Sequence, residues 1–248
     1  MTLTIYADFT DAMSRIASAR ADALIGAGVP IEWRAVAAHP TIRVVARPLA
    51  DAEHTALADL ERQWRAAALP DEPVPWHQPT VATAPGPPVA AYAEACGAGV
   101  GDHVRHLLFA SGWHDHADIG NPDVLRRLLA VPILHGHSEA DVLREYGYAV
   151  AIGGGPITSD AWRLIDRWQG EYADLGRPDL PLLLDGEEQH SGWDAVQRLG
   201  ALITEHDAPF PRGNPYPLPP LPLPAQRRDL ERPGRRPIWR DAYLLSSR

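Results

Sequence analysis

The chain has 248 residues, 45% of them apolar, with a formal charge of −9 and a single cysteine. That apolar content can build the core of one large domain or two small ones, while the acidic balance argues against general nucleic-acid binding and one thiol excludes a disulfide framework or a two-cysteine redox motif. All 23 basic residues are arginine, which removes lysine Schiff-base catalysis and a lysine-based phosphate loop.

Leu3, Ile5, Ala7 and Phe9 alternate with polar neighbours at the period of a strand. Thr10 or Asp11 then caps a helix with Ile16, Arg20 and Leu24 on one side, ending at Gly26 and Gly28. A second strand over Ile31 to Ala38 completes a βαβ unit, for which a right-handed parallel crossover is expected. From about Leu49 the pattern turns helical: Ala50 to Ala68, then a proline-rich loop over Leu69 to Pro88, then helices at Val89 to Ala95, Asp102 to Ser111, Asp123 to Ala130, Ser138 to Glu145 and Ser159 to Leu175. Ser138 and Asp141 have the spacing of a capping box, and Trp162, Ile165, Trp168 or Gln169, and Tyr172 share a face of the last helix. Gly153-Gly154-Gly155 lacks the spacing of a dinucleotide site and reads as a turn. Strand character returns at Leu180 to Leu184, Asp185-Gly186 signals a hairpin into Glu187 to Ser191, and a helix over Trp193 to Glu205 follows.

The order βαβ, helical block, ββα is the thioredoxin arrangement with a helical insertion, an α/β fold. The expected divisions are 1–48 and 177–206 for the two thioredoxin-like halves, 49–176 for the insertion and 207–248 for a Pro/Arg-rich C-terminal tail. Between Pro209 and Arg248 stand eight arginines against Asp229, Glu231 and Asp241, so the tail is expected to lie along its own acidic body or a neighbouring subunit, docking through Trp239, Tyr243, Leu244 and Leu245.

Ile5-Tyr6-Ala7-Asp8-Phe9 with the following helix, Ile31-Glu32-Trp33-Arg34, Val104 to Ala110 with Asp118 to Leu125, and Leu180-Pro181 occur in the order found in the DsbA-like thioredoxin superfamily. The chain resembles its FrnE-like, 2-hydroxychromene-2-carboxylate isomerase and kappa-class glutathione transferase branch over about residues 3 to 206. Redox-active members of that superfamily carry Cys-Pro-x-Cys at the start of the first helix, and the isomerases and transferases carry a serine at its first position. Asp11-Ala12-Met13-Ser14 stands there in this chain, so the resemblance implies a member without dithiol exchange.

The resemblance implies a cleft between the first helix, the Pro181 loop and the insertion, with Pro181 in a cis bond. Asp11 and Ser14 are its candidate catalytic residues, and Phe9, Met13, Trp113, His114, Leu180 and Pro181 its candidate ligand contacts. Asp11 is either a general base or simply a helix cap; a helix N-terminus should lower its pKa and weaken it as a base. Ser14 either meets a ligand or bonds back to the helix. His103 and His106, His114 and His116, and His135 and His137 form pairs without a recognised zinc pattern, so no metal is expected. Cys96, among small residues, reads as a small buried hydrophobe.

The MTLTIYADF start has no basic flank or signal-type apolar core, and no run of about 18 apolar residues occurs, so the expectation is a cytoplasmic protein without membrane contact. No cofactor is expected beyond a low-molecular-weight thiol. The expected partners are a small-molecule or thiol ligand and a second copy bound through the tail, not nucleic acid. The expected function is a redox-inactive binding protein with isomerase- or transferase-like chemistry; the alternative is a non-enzymatic scaffold using fold and tail for protein contacts.

Overall fold

A computed structural model describes residues 2–38, 46–77 and 79–222. In chain order it has β1 (Leu3–Ala7), α1 (Ala12–Gly26), β2 (Ile31–Ala35), β3 (Arg47–Pro48), α2 (Asp51–Ala67), β4 (Val81–Ala82) and α3 (Gly86–Gly97). There follow α4 (Gly101–Trp113), α5 (Pro122–His135), α6 (Asp141–Tyr146), α7 (Ser159–Asp174), β5 (Leu182–Asp185), β6 (Glu188–Ser191) and α8 (Gly192–His206).

The main sheet has the order β2-β1-β5-β6. β2 runs parallel to β1, with Ile5 beside Trp33, whereas β5 runs antiparallel to β1, with Ile5 beside Leu183. Alternation along β1 turns Tyr6 toward α7, where its ring stacks on Tyr172 at 6.2 Å and its hydroxyl meets Glu171 at 3.1 Å. Leu3, Ile5 and Ala7, on the opposite face, are buried.

α1 is the structural axis, buried from Ser14 through Leu24. Its alanines let neighbouring helices approach on every side, so the polar residues among them must find partners inside. Arg20 holds Glu72 through two nitrogens at 2.8 and 2.9 Å and donates to the Val196 carbonyl. Gly200 on α8 makes that possible, because a Cβ there would sit 2.6 Å from the Arg20 guanidinium. Asp22 faces Arg105 of α4 at 2.7 Å, and Ser18 accepts from the same guanidinium.

Several boundaries depart from the sequence expectation. β2 ends at Ala35 rather than Ala38, where Ala37 and Ala38 turn away to bond with Gln169 and Asp8. α3 starts at Gly86 because Pro87 and Pro88 fall in its first turn, where an amide hydrogen has no helical partner to lose. α5 continues past Ala130 through Pro132 to His135, with the proline ring buried among Leu129 and Ile133, so packing overrides the usual break. Ser138 does not cap α6; its Oγ accepts from Ala140 N, and Ala140 occupies the cap position. Trp162 is 52% exposed while Trp168 and Tyr172 carry the buried face of α7. The expected loop at 69–88 contributes β4, paired with β3 as a two-residue ribbon.

The described part of the tail lies on its own chain. Tyr216 donates to Asp22 and accepts from Arg105, each at 2.8 Å, while its carbonyl meets His103 and that of Pro219 meets His135. Trp239, Tyr243, Leu244 and Leu245 fall outside the described residues. Among those residues no helix is long and apolar enough to cross a membrane.

Candidate functional site

The turn from β1 to α1 is organised by two carboxylates. Asp8 is buried; its Oδ1 accepts from both the amide and the hydroxyl of Thr10 at 2.8 Å, and its Oδ2 takes the Ala38 amide at 2.9 Å. Three residues on, Asp11 has the extended φ and ψ of an N-cap, and its Oδ2 accepts from Ser14 N and Ser14 Oγ, both at 2.6 Å. The cap is thus occupied, and Ser14, fully buried, spends its hydroxyl on it.

Beside this turn opens a cleft of about 480 Å³. Phe9 and Asp11 form its floor, Leu57 and Leu60 of α2 one wall, and Trp113 and Ile119 another. Trp113 is fixed there by its indole N–H, which donates to the Phe9 carbonyl at 2.9 Å, and by ring contact with Trp76. Gly120 permits the wall to close, since a Cβ would come within 2.5 Å of Ala84 N. Arg47, with both terminal guanidinium nitrogens on Glu53 at 2.7 Å, stands at the rim.

Of the residues anticipated from sequence, Phe9, Asp11 and Trp113 meet at this cleft. Ser14 lies beneath it. Met13 points instead toward α8, where its Sδ-methyl is 3.9 Å from where a Gly192 Cβ would be. Leu180 and Pro181, joined by a cis bond, are buried and are not among the lining residues. The cleft therefore opens between α1 and the helical segment without the Pro181 loop. His114 also turns away, its Nε2 lying 3.2 Å from Arg15 and its ring 4.9 Å from that of His77. The wall supplied by α2 and the Arg47–Glu53 pair was not anticipated, whereas His116, just after Trp113, does line the cleft. Leu57, Leu60 and Trp64 recur at helical spacing and carry a legible signal for that wall, whereas the Arg47–Glu53 pair has none.

Electrostatics reverse one sequence expectation. Burial raises Asp11 to about 6, outweighing the Ser14 hydrogen bonds that pull it down, and the neighbouring Asp8 charge pushes the same way. Asp11 keeps partial contact with solvent at the cleft mouth, yet the protein crowding its carboxylate costs more than the helix terminus returns. His114 moves the other way, to about 4, through burial first and then the charges of Arg15 and His77. Arg15 itself is 7% exposed, has no carboxylate in ion-pair contact among the described residues, and its Nε is buried without a partner.

Cys96 is half-buried on α3 rather than fully buried, and burial pushes its thiol up to about 12. The histidine pairs do not converge: His103 and His135 bond the tail, His106 bonds Asp22, and His114 bonds Arg15. Among the described residues no group of three or more His, Cys, Asp or Glu is placed to hold a metal.

No protein-family model matches the chain, and no curated protein matches it at a significant level. Solved structures do. The cytosolic disulfide reductase DsbM from Pseudomonas aeruginosa, in a structure with GSH, superposes at a TM-score of 0.52 and 16% identity, over 83% of this chain and 98% of that one. A probable DsbA oxidoreductase from Streptomyces coelicolor gives 0.59 at 16% identity, over 86% and 93%. The chain has a DsbA-like thioredoxin fold. A 2-hydroxychromene-2-carboxylate isomerase shares it at 0.55 and 15% identity, over 83% and 95%. In this DsbA-like frame the β1–α1 junction carries Asp11, and the helices from α2 to α7 stand between β2 and β5.

Proposed function

We propose that this DsbA-like protein binds a small, largely apolar molecule in the cleft beside Asp11, and acts on it by proton transfer of isomerase or transferase type rather than by disulfide exchange. The observation that carries this reading is Asp11 itself: a carboxylate at the head of α1 that lines a 480 Å³ cleft, where burial pushes its pKa up to about 6. A carboxylate near neutrality is matched to general acid and base work, and the cleft has the size of a small-molecule site. Redox inactivity is supported by the single cysteine, which is absent from the cleft lining and whose thiol stays protonated near pH 7.

Thermal-shift and native mass-spectrometric screening of small apolar molecules, with glutathione included, tests the reading. Binding that is lost in Asp11→Ala is expected, together with no reduction of insulin. Binding indifferent to that substitution would move the site elsewhere, and insulin reduction would overturn the redox assignment.

A further inference from the structure

We infer that the cleft selects a protonated amine on an apolar, aromatic-sized body, with the ammonium placed at Asp11, and discriminates against carboxylate ligands. The inference rests on the cleft being a ligand site, as proposed above, and adds the charge of its ligand.

The walls set the body. Leu57, Leu60, Val81, Trp113 and Ile119 present hydrocarbon, and a flat hydrophobic group recovers the most burial against such surfaces. The charge follows from what the polar lining has left to offer. Arg47 is the only arginine lining the cleft among the described residues, and Glu53 already holds it at two points. Glu53 is itself fixed, because it also accepts the Ala50 amide at the start of α2. An incoming carboxylate would thus have to break a bidentate pair or turn to the imidazole of His116, the other basic side chain of the described lining.

Asp11 is in the opposite position. Its hydrogen bonds come from neutral groups, the amide and hydroxyl of Ser14 and the Met13 amide. A carboxylate that lines an apolar cleft and has no ion pair among the described residues attracts a cation and repels an anion, and low local polarity strengthens both effects. An ammonium at Asp11 would donate to a carboxylate that already has a fixed orientation, since Ser14 locks its other contacts.

Three isosteric probes separate the charge from the shape: 2-naphthylmethylamine, 2-naphthylmethanol and 2-naphthoate, titrated at pH 7.5 by calorimetry and by the Trp113 indole resonance. The amine is expected to bind at least tenfold tighter than the carboxylate, with the alcohol between them. In Asp11→Asn, which keeps a capping side chain, the amine's advantage over the alcohol should fall to within twofold. In Glu53→Gln, which releases Arg47, the carboxylate should gain several-fold.

A carboxylate bound as tightly as the amine, or an amine preference untouched in Asp11→Asn, would overturn the charge inference while leaving the cleft as a binding site. An unchanged carboxylate affinity in Glu53→Gln would overturn the role given to the locked Arg47. Failure of all three probes to bind or to move Trp113 would overturn the cleft itself, and this inference with it.

Discussion

One oxygen of Asp11 receives both the amide and the hydroxyl of Ser14, each at 2.6 Å. Two short bonds would ordinarily hold a carboxylate acidic, yet burial raises this one to about 6. Its folded pKa exceeds its unfolded value, so the contribution to stability is complete below about pH 4 and is lost as pH rises through 6. Asp11→Asn, which keeps an N-cap acceptor and removes the charge, should therefore stabilise the fold by about 1–2 kcal/mol at pH 8 and by much less at pH 4.5. Denaturant melts at the two pH values check the sign; an equal effect at both would contradict it.

Arg105 is the hub of the tail attachment, binding Asp22, Ser18 and Tyr216 from a fully buried position. Burial opposes the Asp22 charge, but Arg105 and His106 outweigh it and hold the carboxylate below its usual range. Arg105→Met leaves Asp22 without its strongest partner and should cost about 3–5 kcal/mol. Tyr216→Phe removes only hydroxyl contacts and should cost about 1 kcal/mol, while exposing residues 208–222 to limited proteolysis. Cleavage at wild-type rate in Tyr216→Phe would show that the tail is held elsewhere.

Arg15 and His114 illustrate the reverse case, a buried cation facing a neutral imidazole. The His114 pKa lies below its unfolded value, so its share of stability is present at neutral pH and lost as pH falls from about 6.5 toward 4. Removing the guanidinium in Arg15→Met should raise the His114 pKa, readable from its ring protons by NMR, and leave stability at pH 7 unchanged or higher. A His114 titration unmoved by the substitution would leave burial and the neighbouring His77 as its causes.

Glu94 on α3 anchors the segment that leads into α7, accepting from the amides of Ile157 and Thr158 and from the hydroxyl of Thr158, the α7 N-cap, while 1% exposed. Glu94→Ala strands three donors and should cost about 2–4 kcal/mol in chemical denaturation. Glu94→Gln, able to accept some of those bonds, should recover part of the loss.

The strands of the sheet were legible because period-two alternation at Leu3 to Phe9 and the Asp185-Gly186 hairpin are local signals, whereas the pairing of β1 with β5 joins distant residues. α5 was shortened in the sequence reading because Pro132 is a local breaker whose cost is met by long-range burial, which no short window contains. The site was read in half. Asp11 stands out as a polar residue at a strand-helix junction, and Trp113 at a helix end. Pairs such as Arg47 with Glu53, or Arg20 with Glu72, depend on where loops return. The direction of the Asp11 shift was misread for the same reason: a helix terminus is visible in sequence, but the crowding that desolvates the carboxylate comes from residues scattered along the chain.

Thr4 finds its antiparallel neighbour only at Leu184. During synthesis, the β1 edge and the alanine-rich α1 emerge long before β5 and α8 exist to cover them. At about 5–20 residues per second, that interval is on the order of ten seconds or more. The nascent chain thus carries an open strand edge past the whole helical segment, the kind of surface that pairs wrongly with other chains. A ribosome-associated holdase should be most needed before residue 184 is exposed, and truncations ending short of β5 should aggregate rather than yield a smaller folded unit.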